Sequence, residues 1–268
     1  MAEERFLAVR HMLKSLVRKA LAARGKVIIR KSELDNRIAD IPKETLAIYR
    51  QVQPFTLTSL ERVAGLVDAT RYVVEANIPG SIVECGVWRA GSSMCMALTQ
   101  LGSSRTPREM YLFDTFEGMP DASDADVDYL DRVASEILTR ERGLAPDQRK
   151  QSLFLACSPL DEVQRNMEAT RYPAHLIHYV KGRVEETVPS QAPATIALLR
   201  LDTDWYESTK HELFHLWPRV SPGGIVIIDD YGHWRGSRRA TDEYFGEIGL
   251  CVMLNRLDYT GRLIQKPY

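Results

Sequence analysis

Between residues 81 and 230, short β-rich segments alternate with helical ones, and no other feature of the chain constrains its fold as much. Five segments have the composition of strands: SIVECGV, MYLFDTF, LIHYVKG, TIALLRLD and GIVIIDD. TIALLRLD is almost entirely apolar, as expected of a strand that is buried on both faces of a sheet. Strands that alternate with helices in this way predict an α/β fold, in which a mostly parallel sheet carries helices on both faces.

The flanking segments add two features to this fold. CVMLNRLDYTGRLIQK has the pattern of two strands around a turn at Asp258 and Gly261, which predicts a final antiparallel hairpin. Residues 117–150 are polar and include the helix-like run VDYLDRVASEIL. An insertion after a strand can close over a ligand site as a lid, although a solvated surface helix would have the same composition. Helices are also predicted at 43–51, 60–76, 91–101 and 205–216.

Residues 1–31 stand apart because they carry nine basic side chains and two acidic ones. Apolar residues recur there at helical spacing and basic residues occupy another face, which predicts a basic amphipathic helix. Two interpretations stay open, namely contact with an anionic membrane surface and packing on the chain's own domain or on a second subunit. We place residues 1–59 in an N-terminal helical extension and residues 60–268 in the main domain, and we expect a homo-oligomer.

Composition narrows the class of protein. The 268 residues have a formal net charge of -1, so the broad basic field of a nucleic-acid-binding protein is missing and no nucleic-acid partner is expected. No apolar run approaches the roughly 20 residues of a membrane span, and no signal-peptide pattern opens the chain. The four cysteines have the spacing of neither a zinc site nor a disulfide framework. A cytoplasmic enzyme is the expectation.

The turn after the first strand, ECGVWRAG, is the first candidate site. Ligands of doubly wound sheets bind at the carboxyl ends of the strands. Gly86 lets the backbone approach a ligand closely, and the amino end of a helix that opens at Gly91 favours an anionic group. The spacing is not G-x-G-x-x-G, which favours a smaller anionic group over a dinucleotide pyrophosphate. An ordinary strand–helix turn is the alternative.

Asp114, at the end of the second strand, is the second candidate. A carboxylate in this place can accept the hydroxyl groups of a ribose, as in dinucleotide-binding folds. Alternatively, it caps the turn that follows. Together with the Gly86 turn, it indicates a nucleoside ligand.

Four acids after the fourth and fifth strands form the strongest candidate site: Asp202, Asp204, Asp229 and Asp230. Neighbouring strands bring them together, and their repulsion requires a cation, a proton or an arginine. Oxygen ligands favour Mg²⁺, Ca²⁺ or Mn²⁺ over zinc. Salt bridges with arginines are the alternative, and the candidates are Arg200, Arg235, Arg238 and Arg239. Aromatic residues that flank the acids could line a sugar pocket or pack in the core, and these are Trp205, Tyr206 and Trp234. His233 is a further site candidate.

Six ordered segments of the chain resemble the macrocin O-methyltransferase family: VECGVWRAGSS, LFDTFEGMP, VKGRVEETVP, LLRLDTDWYEST, SPGGIVIIDDYG and LDYTGRLI. Members of this family use S-adenosylmethionine to methylate sugar hydroxyls in antibiotic and glycan biosynthesis. The resemblance covers about residues 54–268. It implies the Rossmann-like class I methyltransferase fold, whose final antiparallel hairpin agrees with the strand pattern, and a sugar-containing small molecule as acceptor.

The resemblance also implies roles for individual residues. The methionine part of the cofactor would be held by the first turn, that is by Glu84, Gly86, Val87, Trp88, Arg89, Gly91 and Ser92. Asp114 and Thr115 would hold the ribose, and Gly182 and Arg183 would lie near the adenine. Asp202 would lie beside the cofactor and act as the base, while Asp204, Asp229 and Asp230 would hold Mg²⁺ or another hard divalent cation. One-residue differences can exchange the base and ligand roles. Two positions depart from the family pattern, Ala90 in place of a second glycine and Arg183 in place of an aromatic residue.

Other functions stay open at this point. A phenolic, catechol-like acceptor is the nearest rival to a sugar, and a metal-dependent hydrolase could use the aspartate cluster. A module that binds the cofactor without catalysis would lack a use for the four acids. An NAD-dependent oxidoreductase is disfavoured because its G-x-G-x-x-G and Tyr-x-x-x-Lys patterns are missing.

Overall fold

A computed structural model describes residues 38–145, 148, 155 and 157–268. The predicted basic helix within residues 1–31 lies outside these residues, as does part of the predicted lid. Residues Glu44–Tyr268 form one compact unit, and Met1–Lys43 form another, of which residues 38–41 are described as turn and bend. The domain boundary at residue 60 stays a prediction.

Seven strands form a single sheet in the order β3-β2-β1-β4-β5-β7-β6. The first five pair in parallel, and β7 runs antiparallel to both β5 and β6. This confirms the predicted mostly parallel sheet with a final antiparallel hairpin. The strands are β1 Ser81–Cys85, β2 Met110–Asp114, β3 Ile177–Lys181, β4 Ile196–Leu201, β5 Val220–Ile228, β6 Asn255–Arg256 and β7 Arg262–Gln265.

Eight α-helices are described, and most of them pack on the two faces of this sheet. They are α1 Lys43–Val52, α2 Leu60–Glu75, α3 Gly91–Leu101, α4 Ala134–Arg142, α5 Leu160–Ala169, α6 Val184–Thr187, α7 Tyr206–Leu216 and α8 Arg235–Glu247. None of the described helices is both long enough and apolar enough to cross a bilayer.

Alternate residues of each strand enter two separate cores, as the period of two of a β-strand requires. Ile82 of β1 packs with Val67 of α2 and Met94 of α3 on one face. Val83, its neighbour in the strand, packs with Leu213 of α7 on the other face. The sheet is therefore covered on both sides, and its ligands have access to the ends of the strands.

The helix predicted over residues 127–138 is wrong in its first half, because α4 begins at Ala134. Asp128 Oδ1 accepts hydrogen bonds from the backbone N–H groups of Leu130 and Arg132, which folds the chain into a turn. Val127 and Val133 then pair as an isolated antiparallel bridge. A short acid that binds the nearby backbone offers it an alternative to a helix.

Two helices were not predicted from the sequence, α5 and α8. Only Val163 and Met167 of α5 are buried, so its apolar stripe is too narrow to stand out. The face that α8 buries begins with small or polar residues, Gly236, Ser237, Ala240 and Thr241. Hydrophobic periodicity therefore misses both.

Candidate active site

A cavity of about 380 Å³ lies at the carboxyl ends of all five parallel strands. Residues that follow each strand line it: Gly86 after β1, Asp114 after β2, Gly182 after β3, Asp202 after β4 and Asp229 after β5. This is the edge at which doubly wound sheets bind ligands. The two candidate sites of the sequence and the acid cluster thus open into the same space.

The turn after β1 is fixed in a conformation that glycine favours. Gly86 has φ +82°, and a Cβ there would collide with the carbonyl oxygen of Asp202. Ala90, which departs from the family pattern of a second glycine, has φ +68° at the amino end of α3. Non-glycine residues seldom adopt this left-handed conformation. The geometry therefore explains why glycine is common at the position.

Asp114 joins the first two candidate sites physically. Its Oδ2 accepts hydrogen bonds from the backbone N–H groups of Val87, at 2.7 Å, and Trp88, at 3.0 Å. Its Oδ1 accepts one from Phe116 N, at 2.7 Å. The capping role considered for Asp114 is therefore real, and it holds the β1 turn as well as its own. Asp114 and Thr115 also line the cavity.

Two of the residues expected at the cofactor do not lie among the lining residues of the cavity. Glu84 is buried and accepts a hydrogen bond from Arg200 Nη1 at 2.7 Å and one from Ser93. Arg89 pairs with Glu162 at 2.8 Å and donates to the carbonyl oxygen of Pro54. In this conformation both side chains hold the surrounding walls together, and their expected cofactor contacts stay a prediction. The other expected cofactor residues do line the cavity: Gly86, Val87, Trp88, Gly91, Ser92, Asp114, Thr115, Gly182, Arg183 and Asp202.

Three carboxylates converge in a way that could hold a metal ion. One oxygen from each of Asp202, Asp229 and Asp230 lies within 4.8 Å of the others. Asp204, which the resemblance places among the ligands, has a different setting. Its Oδ1 accepts a hydrogen bond from Trp234 Nε1 at 2.7 Å, and its backbone N–H donates to Asp230 Oδ2 at 3.1 Å. The acid that joins Asp229 and Asp230 in this convergence is therefore Asp202.

Two arginines balance part of this negative charge. Arg200 of β4 is 2% exposed, and its Nη1 lies 2.7 Å from Asp202 Oδ2 as well as pairing with Glu84. Its Nη2 lies 2.8 Å from Asp229 Oδ1, an ion pair whose angle does not meet hydrogen-bond geometry. Arg62 of α2 pairs with Asp229 and, at 3.0 Å, with Asp258. The salt bridges considered as an alternative to a metal are thus present for Arg200.

Arg62 had no signal in the sequence, since nothing near it distinguishes it from an ordinary surface arginine. Arg200 was detectable, because a charge inside an otherwise apolar strand is rarely buried without a partner. Among the described ion pairs of the other three candidates, Arg235 pairs with Asp131 and Arg239 with Glu243. Arg238 donates to the carbonyl oxygen of Tyr231.

The acids keep more charge than the arginines balance, and this affects their protonation. Burial, followed by the repulsion of Asp202, raises the pKa of Asp204 to about 7. Burial also raises the pKa of Asp202 to about 6, against the opposing effect of Arg200. The pKa of Asp230 is raised well above its usual range by burial and then by Asp204. A divalent cation would stabilise the ionised forms of all three, so the donor set fits a hard cation.

Part of the predicted lid covers the acid side of the cavity. Met119 and Pro120 line it, and the Pro120 carbonyl accepts a hydrogen bond from Trp205 Nε1 at 3.2 Å. Trp205 and Trp234 pack edge to face, with ring centroids 5.0 Å apart, against Ala134, Ile137 and Leu138. Both tryptophans are buried and both line the cavity, so the pocket and packing roles coincide. Tyr206 instead points its hydroxyl at Glu243.

Comparisons with known proteins place this architecture among methyltransferases. The family model of macrocin O-methyltransferase matches residues 2–266, and so includes the basic N-terminal segment that the ordered motifs left out. One relative, from Streptomyces olivaceus, is an 8-demethyl-8-(2,3-dimethoxy-alpha-L-rhamnosyl)-tetracenomycin-C 4'-O-methyltransferase. It is 34% identical over 206 residues, which are 77% of this chain and 73% of the relative.

A second relative, the demethyldecarbamoylnovobiocin O-methyltransferase of Streptomyces niveus, is 30% identical over the same shares of the two chains. The solved structure of the O-methyltransferase NovP covers 80% of this chain and 83% of its own, with a TM-score of 0.65 and 30% identity. The sheet order and this likeness together show the class I methyltransferase fold.

Proposed function

The chain belongs to the macrocin O-methyltransferase family, and we propose that it transfers the methyl group of S-adenosylmethionine to a sugar hydroxyl of a natural product such as an antibiotic. One observation carries the proposal: a turn suited to a nucleoside cofactor and a cluster of aspartates line the same cavity. Holding the two reactants in register supplies much of the rate gain in such a reaction. The printed name of the Streptomyces olivaceus relative, which includes a rhamnosyl group, supports a sugar acceptor.

We place the cofactor along the turns after β1, β2 and β3. Gly86–Trp88 and the amino end of α3, with Ser92, would hold the methionine part, and Gly182 and Arg183 would border the adenine. Asp114 already accepts three backbone hydrogen bonds, and a carboxylate offers about four lone-pair sites. Asp114 therefore has room for one ribose hydroxyl, and it acts mainly by holding the turn in place.

We propose that Asp202, Asp229 and Asp230 hold Mg²⁺ or another hard divalent cation. The convergence of their oxygens and the raised pKa values of Asp202 and Asp230 support this set. When bound, such an ion would lower the pKa of an acceptor hydroxyl. Arg200 and Arg62 orient Asp229 from two sides, and Arg200 also orients Asp202.

Asp204 is then the candidate base, in exchange for the role that the resemblance gives to Asp202. Its pKa of about 7 lies near neutral pH, which is the useful range for a group that accepts a proton during the reaction. Trp234 holds one of its oxygens and leaves the other for the acceptor. The buried tryptophans and the segment around Pro120 keep water away from this side of the cavity.

Variants of the two aspartates separate these assignments. Asp202→Asn should weaken the binding of Mn²⁺, used as a paramagnetic substitute for Mg²⁺, whereas Asp204→Asn should bind Mn²⁺ normally and lose methyl transfer. If Asp204→Asn loses Mn²⁺ and Asp202→Asn keeps it, the roles are those implied by the resemblance.

The acceptor class is tested by the formation of S-adenosylhomocysteine with an aryl rhamnoside and with a catechol. We expect turnover of the rhamnoside and a loss of that turnover in EDTA. Turnover of the catechol alone would make the enzyme a phenolic methyltransferase. Family membership removes the hydrolase alternative. Cytoplasmic localisation, self-association and membrane contact through residues 1–31 stay predictions.

A further inference from the structure

Three aromatic rings cluster at the border between the cavity and the surface. Tyr129, His233 and Tyr259, here called the ring cluster, have centroids 5.2, 5.8 and 6.0 Å apart, and each pair meets edge to face. His233 Nδ1 lies 3.0 Å from the hydroxyl of Tyr259. His233 and Tyr259 line the cavity, while Tyr129 and Tyr259 are 51% and 49% exposed. The cluster thus presents ring surface next to the acids.

The three rings stand on loops that the backbone fixes in place. Tyr129 lies in the turn that the Asp128 carboxylate holds through Leu130 N and Arg132 N. The loops of His233 and Tyr259 touch, since Gly232 N donates to the Thr260 carbonyl at 2.9 Å. A Cβ at Gly232 would collide with the carbonyl oxygen of Tyr259. Aromatic surface that is held in position before binding gains affinity because little freedom is lost.

The charges around the acids disfavour a phosphorylated acceptor. The arginines among the described lining residues are Arg62, Arg183 and Arg200, and each of them pairs with a carboxylate. A nucleotide-linked sugar would bring a diphosphate close to the aspartate cluster, and like charges brought together oppose binding. A cation held by three aspartates would have its own charge already offset. Leu57, which is 55% exposed and lines the cavity, adds apolar surface instead.

We propose that the ring cluster binds an uncharged, ring-bearing aglycone, so that this enzyme methylates a sugar after its attachment to that aglycone and not while it is nucleotide-linked. The inference rests on the proposed methyl transfer to a sugar hydroxyl and adds the substrate class. It also places the reaction after the glycosyl transfer that must supply this substrate.

Kinetics with three probes test this assignment: 4-methylumbelliferyl α-L-rhamnoside, methyl α-L-rhamnoside and thymidine diphosphate rhamnose. We expect the aryl rhamnoside to have the highest kcat/KM of the three. Tyr259→Ala and Tyr129→Ala should each raise its KM by about tenfold, a typical effect of losing ring contacts, with kcat within about twofold. Tyr259→Phe keeps the ring and should keep the KM.

Phe214→Ala is the matched control, because Phe214 is 64% exposed but lies on α7 outside the cavity lining. Its KM should equal that of the unmodified protein. An unchanged KM in both tyrosine variants, or a higher kcat/KM for the nucleotide-linked sugar, would overturn the ring-cluster assignment and leave the methyltransferase function standing. If S-adenosylhomocysteine binds but no probe is methylated, the proposed sugar acceptor fails and the ring-cluster assignment fails with it.

Discussion

Arg200 determines the electrostatics of the site from inside the sheet. It is a buried arginine in a strand whose other residues are apolar, and it contacts Glu84, Asp202 and Asp229. Removing one partner from a buried ionic network leaves the others with an uncompensated charge. The residue was named from the sequence only as one of four arginines that could form salt bridges, because a linear pattern does not show which side chains meet.

Arg200→Met should lower the free energy of unfolding by about 3–5 kcal/mol, since three buried carboxyl groups lose their shared cation. Urea denaturation measures the change. Arg165→Met is the matched control, because Arg165 and Asp161 form an exposed pair on α5 and such pairs contribute about 0–1 kcal/mol. Adding Glu84→Gln to Arg200→Met should recover part of the loss. Equal stability of the two single variants would contradict this account of Arg200.

Trp234→Phe should move the acidic limb of the kcat–pH profile to higher pH. The indole N–H bonds the ionised form of Asp204 and lowers its pKa, so removing it raises that pKa. A base must be ionised, so activity is then lost at a higher pH, by about one on the pH scale for a bond worth about 1.5 kcal/mol. Trp205→Phe is the control, because Trp205 Nε1 donates to the Pro120 carbonyl. Identical shifts in the two variants would exclude Asp204 as the group observed.

At the scale of elements, the turns after the strands decide what the cavity can bind. The strands and α3 were predicted close to their observed bounds, because buried strands and an amphipathic helix leave periodic signals. α5, α8 and the start of α4 were not, since their ends are fixed by side chains that bind the backbone or by burial of small residues. The cavity residues on strand ends followed from topology, whereas Arg62 and the ring cluster come from contacts between distant segments.

Gly86→Ala should lower both stability and cofactor affinity. Its φ of +82° and the collision of a Cβ with the Asp202 carbonyl would force the β1 and β4 turns apart. We expect a loss of about 2 kcal/mol or more in the free energy of unfolding and weaker binding of S-adenosylhomocysteine. Gly246→Ala, in α8, is the control, because nothing lies within 4 Å of its new Cβ. It should be neutral or stabilising by up to about 1 kcal/mol. Similar behaviour of the two variants in thermal melts would contradict the argument.

At the scale of the whole molecule, the acid cluster couples metal binding to folding. An ion that binds the folded chain stabilises it by about 2.7 kcal/mol at a concentration 100 times its Kd. Mg²⁺ should therefore raise Tm relative to EDTA. Asp230→Asn should remove this difference, whereas Asp242→Asn, which alters an exposed partner of Tyr231, should keep it. An Mg²⁺ effect of equal size in both variants would place the ion elsewhere.

The most direct measurement is a calorimetric titration of S-adenosylhomocysteine into the protein, in Mg²⁺ and in EDTA. The cofactor turns and the aspartates line different parts of one cavity, so the account predicts a Kd on the order of micromolar in both buffers. Binding in both would place the cofactor apart from the metal and put the ion on the acceptor side. No binding in either buffer would contradict the central claim that this cavity is the cofactor site of a methyltransferase.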